Sequence, residues 1–324
     1  MKRLYLIVAA LLFVCMVGAA QAGQKVLLIF SYHQEFSWVI EETRGVEDVV
    51  KDRGITIEKF YLDTKRNTTI EWKEKVAGDA VKKIEEFNPD LVMVFDDNAS
   101  ELVAKKYIGK TLPFVFASMN GEPGDYGFPA DNITGVLERG HVNESMELLK
   151  RLVPSLTRAA IITDNSPTSQ AFISRVGRAI LPIEIYGFYS TDDFAIWKVE
   201  VKELQSKVGA IGLFVYHTIK EKNEELSLPA EEVLRWTLKN SQIPEFAFSD
   251  FTVREGALCG VVISGYVQGK TAAKMALTIL AGANPANIPI RVPQEGIPMI
   301  NKRRAEELNI RIPEDVLKEV EIVE

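Results

Sequence analysis

Short polar segments that follow apolar runs are the part of this sequence best suited to binding a small molecule. Each combines carboxylate, amide or hydroxyl groups, and several add an aromatic ring. In an open parallel α/β sheet, ligands bind beyond the carboxyl ends of the strands, where helix N-termini also point. Helix capping accounts for individual polar residues, but it does not require the aromatic rings, which are typical of small-molecule pockets. The predicted ligand-binding residues are Ser31, Tyr32, His33, Trp38, Asp97, Asn98, Ser118, Asn120, Asp164, Asn165, Tyr216, His217 and Asp250.

The charge of these segments bounds the chemistry of the ligand. They carry Asp96, Asp97, Asp164 and Asp250, and Arg139 is the one plausible basic neighbour. Burying an unpaired carboxylate is costly, so an acidic pocket should prefer an ammonium group or several hydrogen-bond donors. This pattern favours a zwitterionic amino acid, an amine or a nucleoside-like ring, and it disfavours phosphate and sulfate.

Neither a metal site nor an enzyme is indicated. His33 and His217 could combine with Asp97 around a divalent ion, but the histidines have none of the local spacings that metal sites use. No Gly-x-Ser-x-Gly elbow and no Cys–His pairing signal marks a nucleophile with its base. We therefore predict a protein without metal or other cofactor and without catalytic activity.

The composition is that of an ordinary globular protein. The chain has 324 residues with 38 Lys+Arg against 45 Asp+Glu, a formal charge of −7, and 47% of its residues are hydrophobic. These values exclude a disordered or collagen-like chain, and the length suggests more than one core. A mildly acidic chain lacks the clustered Lys and Arg on which nucleic-acid binding depends, so no nucleic-acid partner is expected.

The first 22 residues predict the compartment. Lys2 and Arg3 precede an apolar run over Leu4–Val17, and Ala20-Gln21-Ala22 supplies small residues for signal peptidase. The apolar run is shorter than the roughly 20 residues that span a bilayer. We therefore predict a cleaved signal peptide and a periplasmic or other extracytoplasmic protein whose mature chain starts near Gly23.

Strand-like and helix-like segments alternate along the rest of the chain, which predicts an α/β protein. Short apolar runs such as Leu91–Phe95 alternate with longer segments of helical period such as Ile70–Phe87, the pattern of βαβ units with parallel sheets. The alternation restarts near Glu144, which predicts two Rossmann-like lobes. The cleft between the lobes is then the natural ligand site.

Several motifs in the C-terminal part of the chain are typical of one known family. They are Ser249-Asp250, Glu255-Gly256-Ala257, Gly265-Tyr266, Gly269-Lys270-Thr271-Ala272-Ala273, Ile279-Leu280-Ala281-Gly282, Ile288-Pro289, Asn301-Lys302 and Ile312-Pro313-Glu314. With these as its most specific motifs, essentially the whole mature chain resembles the substrate-binding proteins of ABC transporters, in particular the tryptophan/tyrosine type. The resemblance implies a type I periplasmic binding fold, with two lobes joined by three crossovers and closing around one ligand. It also implies a first lobe of residues 23–137 plus about 264–290 and a second lobe of 138–263 plus about 291–324.

Together these features predict a monomeric, exported solute-binding protein of an ABC importer. The ligand would be small, zwitterionic or aromatic and amino-acid-like, and the partner an ABC permease in the inner membrane. The segments Ser31–Trp38 and Tyr61–Arg66 depart from the family pattern, because they look more like variants found in extracellular sensing domains. The alternative is therefore a periplasmic sensing subunit that acts on a membrane signalling receptor.

Overall fold

Two separate β-sheets organise the chain. The computed structural model describes residues 23–294 and 296–324, so the predicted signal peptide lies outside the described residues. The first sheet has five strands in the order β2-β1-β3-β4-β5, and all neighbouring strands are parallel. Its strands are β1 (Lys25–Phe30), β2 (Thr56–Tyr61), β3 (Leu91–Phe95), β4 (Phe114–Met119) and β5 (Ile133–Leu137).

Helices cover both faces of the first sheet, which explains why β3 is apolar and buried along its whole length. The helices between its strands are α1 (Ser37–Val50), α2 (Ile70–Phe87), α3 (Asp96–Leu102) and the short α4 (Pro123–Tyr126). A single 3₁₀ turn over residues 104–107 follows α3.

The second sheet has seven strands in the order β12-β11-β10-β9-β8-β6-β7. Its strands are β6 (Arg158–Thr163), β7 (Glu184–Ser190), β8 (Ala210–Leu213), β9 (Glu245–Ala247), β10 (Cys259–Val262), β11 (Ile297–Asn301) and β12 (Glu321–Val323). The remaining helices of the described chain follow in sequence order. They are α5 (Val142–Leu152), α6 (Pro167–Val176), α7 (Phe194–Leu204), α8 (Ala230–Asn240), α9 (Asp250–Arg254), α10 (Gly265–Leu280), α11 (Lys302–Glu307) and α12 (Glu314–Leu317). Among them, α10 packs on the first lobe.

The predicted α/β architecture with two lobes is confirmed, with one exception in the strand directions. β11 runs antiparallel to β10, whereas the other paired strands of this sheet are parallel. The chain reaches β11 from the first lobe, whereas a helix on the same sheet leads to each parallel neighbour. This different connection allows β11 to run in the opposite direction.

The chain passes between the lobes three times. It leaves the first sheet after β5, returns after β10 through α10, and leaves again before β11. α10 packs against α1 and β4 of the first lobe. Arg291 still pairs with Val136 of β5, so the third crossing follows Arg291. Within the described residues, no helix has both the length and the apolarity needed to cross a bilayer.

α1 and α10 pack unusually closely because glycines lie at their contact. A Cβ atom on Gly269 would lie 2.1 Å from the backbone oxygen of Glu42, and one on Gly45 would lie 2.2 Å from the backbone oxygen of Tyr266. Backbone atoms cannot move aside as a flexible side chain can. The close packing positions Trp38 and Glu42 of α1 beside the cleft between the lobes.

We expect Gly269→Ala to lower the free energy of unfolding by about 1–3 kcal/mol, the usual cost of overpacking a filled contact. Gly78→Ala in α2 is the matched control, because a Cβ atom there meets nothing within 4 Å. That control should be neutral or stabilising by up to about 1 kcal/mol, since alanine is the better helix former. Urea unfolding of both variants measures the difference, and equal midpoints would contradict the proposed close contact.

Candidate functional site

The carboxyl ends of the strands of both sheets meet across the cleft and enclose a central cavity. Its volume is about 30 Å³, far below the roughly 300–1,000 Å³ of small-molecule pockets and enough only for water. The lobes are therefore shut around this central cavity, with wider cavities of about 530 and 320 Å³ beside it in the cleft. The cavity is lined by Tyr32, Phe36, Trp38, Lys65, Asp96, Glu138, Thr168, Phe214, Val215, His217, Ser249 and Phe251.

A chain of three polar side chains joins the lobes on one side of the cavity. The Thr168 hydroxyl donates to Oδ2 of Asp97 over 3.0 Å and lies 3.3 Å from the Tyr32 hydroxyl. Because the single hydroxyl proton of Thr168 is used on Asp97, the Tyr32 hydroxyl must donate to Thr168. This chain forms only when α6 of the second lobe approaches β1 and α3 of the first.

A second set of contacts joins the loop after β2 to the loop after β8. Ser227 donates from its hydroxyl to the carbonyl of Lys65 over 2.7 Å, and Nζ of Lys220 donates to the hydroxyl of Thr68 over 2.6 Å. Asn67 and Leu226 form an isolated antiparallel bridge between them. The loop after β2 is thus fixed from the opposite lobe.

Three aromatic rings from the two lobes meet at the cavity. The Phe36 ring centroid lies 4.7 Å from that of His217 and 5.6 Å from that of Phe251, and the His217 and Phe251 centroids are 5.5 Å apart. Burial lowers the pKa of His217 well below its ordinary value, and the nearby Lys65 lowers it further. His217 therefore acts here as a neutral aromatic ring.

Carboxyl groups form the first-lobe wall of the cavity. Asp96 is 2% exposed, and its Oδ2 has no hydrogen-bond partner within the described residues. Burial raises its pKa, as do Glu42 and Glu138. Burial raises the pKa of Glu138 to about 7. Ser118 donates to one oxygen of Glu42, whose other oxygen has no partner among the described residues.

The cation of the cavity is Lys65, which is 4% exposed. Its ammonium lies 4.6 Å from the centroid of the Tyr32 ring. Burial lowers its pKa, against the attraction of Asp164 and Asp96. Arg139, expected to be the basic neighbour, instead donates to the carbonyls of residues 119, 120, 121 and 138 and pairs with Glu122. Its charge is therefore satisfied away from the cavity.

Left-handed backbone conformations are concentrated at the strand ends beside the cleft. Asp63 follows β2 with φ 52°, Asp96 follows β3 with φ 66°, and Ser118 near the end of β4 has φ 56°. Positive φ is uncommon for residues with a side chain, and such strain is often kept at functional sites. Asp96 is the first residue of α3, and with this backbone conformation its carboxylate faces the cavity.

Asp164 organises the second-lobe rim of the cleft. Its carboxylate accepts hydrogen bonds from the hydroxyls of Ser166 and Ser169, both at 2.6 Å. It also accepts from the backbone N–H groups of Ser166, His217 and Thr218 at 3.0–3.1 Å. Burial opposes its ionisation, but Lys65 and these hydrogen bonds lower the pKa of Asp164 below its usual range. One ionised group thus fixes the start of α6 and the loop after β8.

The predicted binding residues fall into three groups in the structure. Tyr32, Trp38 and His217 line the central cavity. Flanking cavities of the same cleft contain His33, Asp97, Asn98 and Asn165, and the buried Asn120 amide has no partner within the described residues. The remaining five form hydrogen bonds within their own lobe: Ser31, Ser118, Asp164, Tyr216 and Asp250.

Several cavity residues were not on the predicted list. Phe36, Asp96 and Phe251 lie within two positions of predicted residues, so the strand-end rule found their segments but not their side chains. Glu138 follows β5, a strand end for which no site residue was predicted. Lys65 lies beyond β2, on a loop that is held both by its own lobe, where Thr64 donates to the Ser31 carbonyl, and by Ser227 of the opposite lobe. Among the residues that the structure describes, no group of three His, Cys, Asp or Glu side chains is arranged to hold a metal ion.

Comparison with solved structures supports this fold over almost the whole chain. The ABC domain from Streptococcus pneumonia in complex with L-Trp is 21% identical, with a TM-score of 0.72, and the match covers 93% of this chain and 100% of that one. A conserved domain protein from Vibrio cholerae is 19% identical with a TM-score of 0.73 and the same coverage. A complex of the TorS sensor domain with TorT gives 13% identity and a TM-score of 0.57, covering 92% of this chain and 96% of that chain.

No curated protein sequence matches the chain significantly. The family model described as "ABC transporter substrate binding protein" matches residues 37–323. This match and the structural similarities confirm the type I periplasmic binding fold that the C-terminal motifs implied. The chain therefore belongs to the ABC transporter substrate-binding protein family.

Proposed function

We propose that this chain is an exported solute-binding protein that delivers a small zwitterionic or aromatic, amino-acid-like ligand to an ABC permease. The observation that carries the proposal is the cavity between the lobes, where aromatic rings lie beside Asp96, a buried carboxyl group with one oxygen that has no partner among the described residues. The protein is taken to be a periplasmic or otherwise extracytoplasmic monomer, without catalytic activity, cofactor or nucleic-acid partner. Residues 1–22 support export as a signal-peptide pattern.

The proposed mechanism is a hinge equilibrium between the lobes. A cavity of about 30 Å³ cannot hold an amino acid, so the lobes must part before a ligand enters. Parting breaks the Tyr32–Thr168–Asp97 chain and separates Phe36 from His217 and Phe251. A ligand that contacts both lobes binds the shut form more tightly and shifts the population towards it, and the permease then recognises that form.

Within the cavity, the ligand's ammonium group would lie against Asp96, with Glu138 beside it. A cation there supplies the partner that Oδ2 of Asp96 lacks within the described residues. The aromatic or apolar portion would take the place of the contact between the Phe36 and His217 rings. The L-Trp bound to the similar Streptococcus pneumonia domain has both chemical features.

Asp96→Asn tests this assignment directly. Isothermal titration calorimetry with L-tryptophan, L-tyrosine and L-phenylalanine should detect binding to the unmodified protein. The variant should bind about tenfold to a hundredfold more weakly, because a charge-assisted hydrogen bond contributes roughly 1.5–3 kcal/mol. Asp131→Asn, at an exposed position of the same lobe, should bind unchanged. Equal affinities for all three proteins would remove Asp96 from the site.

A second candidate function is a periplasmic subunit that reports its ligand to a membrane receptor. The similarity to the complex of TorT with the TorS sensor domain favours it. The genes next to this one discriminate between the two: permease and ATPase genes indicate import, whereas a receptor kinase gene indicates sensing.

A further inference from the structure

A lysine that forms no ion pair in the described part of the chain lies at the centre of the cleft. Lys65 lines the central cavity and the two flanking cavities of about 180 and 320 Å³. Within residues 23–294 and 296–324, its Nζ forms no ion pair within 4.0 Å. Nζ lies 4.6 Å from the centroid of the Tyr32 ring. Burial of the side chain lowers the pKa of Lys65, and an ammonium has three donors to satisfy, so a charge without an ion pair at this position favours an anionic partner.

The nearby carboxylates do not remove this need for a partner. Asp164 attracts Lys65, but its oxygens already accept five hydrogen bonds from its own lobe. Asp96 also attracts Lys65 from the first-lobe wall without forming an ion pair with it in the described part of the chain. The cleft thus has an acidic wall and a separate cation, an arrangement that matches two opposite charges on one ligand.

We propose that Lys65 makes the site specific for ligands with a carboxylate, by pairing its ammonium with that group beside the Tyr32 ring. This inference rests on the proposed function and adds the second half of the recognition, since Asp96 accounts only for the ligand's ammonium. It also couples recognition to closure, because the carbonyl of Lys65 accepts the hydroxyl proton of Ser227 from the opposite lobe. Closure thus adds a contact that fixes the backbone of the lysine.

Ligands with and without the carboxylate test the proposal on the full mature protein. L-tryptophan and tryptamine share the indole ring and the ammonium, and L-tyrosine and tyramine form a second such pair. Calorimetry at pH 7 should show the unmodified protein preferring the amino acid over its amine by about 30-fold or more. Lys65→Met should lose that preference, mainly through weaker binding of the amino acid.

The matched control is Lys220→Met, because Lys220 also reaches across the lobes but does not line the central cavity. It should keep the preference for the amino acid over the amine. A second measurement separates recognition from folding: without ligand, Lys65→Met should melt at a higher temperature than the unmodified protein, since it removes a charge that is partly desolvated by burial and has no ion pair in the described part of the chain. A lysine with a merely structural role would lower the melting temperature when replaced.

A third probe keeps this inference distinct from the proposed function. Indole-3-propionate carries the ring and the carboxylate but no ammonium. If amino acids do not bind, the proposed function is wrong, and Lys65-dependent binding of indole-3-propionate still supports the anion site. Equal binding of L-tryptophan and tryptamine, unchanged in Lys65→Met, would overturn the inference while leaving the proposed function intact. No Lys65-dependent binding of any carboxylate probe would overturn it as well.

Discussion

Replacing Asp164 by alanine is expected to lower the free energy of unfolding by about 3–5 kcal/mol, the usual cost of removing one partner from a buried charged network. The carboxylate is fully buried and accepts five hydrogen bonds. Without it, the N–H groups of His217 and Thr218 lose their acceptor inside the protein. Urea unfolding at pH 7 measures the effect.

Two further variants make the Asp164 result interpretable. Asp164→Asn keeps the shape and one acceptor oxygen, so it should lose less stability than the alanine variant. Asp131→Ala removes a carboxylate from an exposed position and should change stability by less than about 0.5 kcal/mol. A loss below about 1 kcal/mol for Asp164→Ala would mean that water or a rearranged loop replaces the carboxylate.

The stabilisation by Asp164 should also depend on pH in one direction. Its folded-state pKa lies below the unfolded value, so the stabilisation is present above the unfolded pKa of about 3.9. It is lost as the pH falls through the lower, folded-state pKa. The difference in unfolding free energy between Asp164→Ala and the unmodified protein should therefore be smaller below pH 4 than at pH 7.

The core elements of the fold were predictable from the sequence because local and tertiary signals agree there. Leu91–Phe95 is an uninterrupted apolar run, and it forms a strand buried on both faces. Ile70–Phe87 has helical period, and it forms a helix whose N-cap Thr69 accepts a hydrogen bond from the Trp72 N–H group. The segment after Leu91–Phe95 is less regular, because its helix ends at Leu102 and a separate 3₁₀ turn follows over Ala104–Tyr107.

The binding site was only partly predictable, since its details depend on contacts between the lobes. The strand-end rule identified the segment Asp96-Asp97-Asn98 but favoured Asp97, whose oxygens are used by Thr168, Gly121 and Tyr126. Asp96 faces the cavity instead, with a left-handed backbone conformation that no local pattern specifies. Lys65 is harder still to predict, because its position depends on Ser227, which is distant in the sequence.

The unmodified protein is expected to lose stability between pH 5 and pH 8, and Glu138→Gln should make that loss smaller. Burial raises the pKa of Glu138 to about 7, above the unfolded value of about 4.3. The folded state therefore favours the protonated acid. The stabilisation that results is fully present below the unfolded pKa, and it is lost as the pH rises from there through 7. The two pKa values differ by about 2.7 units, and one unit corresponds to about 1.4 kcal/mol, so the effect at pH 8 is about 4 kcal/mol.

Glutamine keeps the shape of the protonated acid but cannot ionise, so the variant should resemble the unmodified protein at pH 5 and exceed its stability at pH 8. Glu147→Gln, at an exposed position of α5, is the control. It should change the free energy of unfolding by the same amount at pH 5 and at pH 8. Asp96 and Glu42 also have raised pKa values from burial, so some pH dependence should persist in Glu138→Gln. A stability difference that is the same at pH 5 and pH 8 would show that Glu138 is ionised throughout, with its charge already balanced inside the shut cleft.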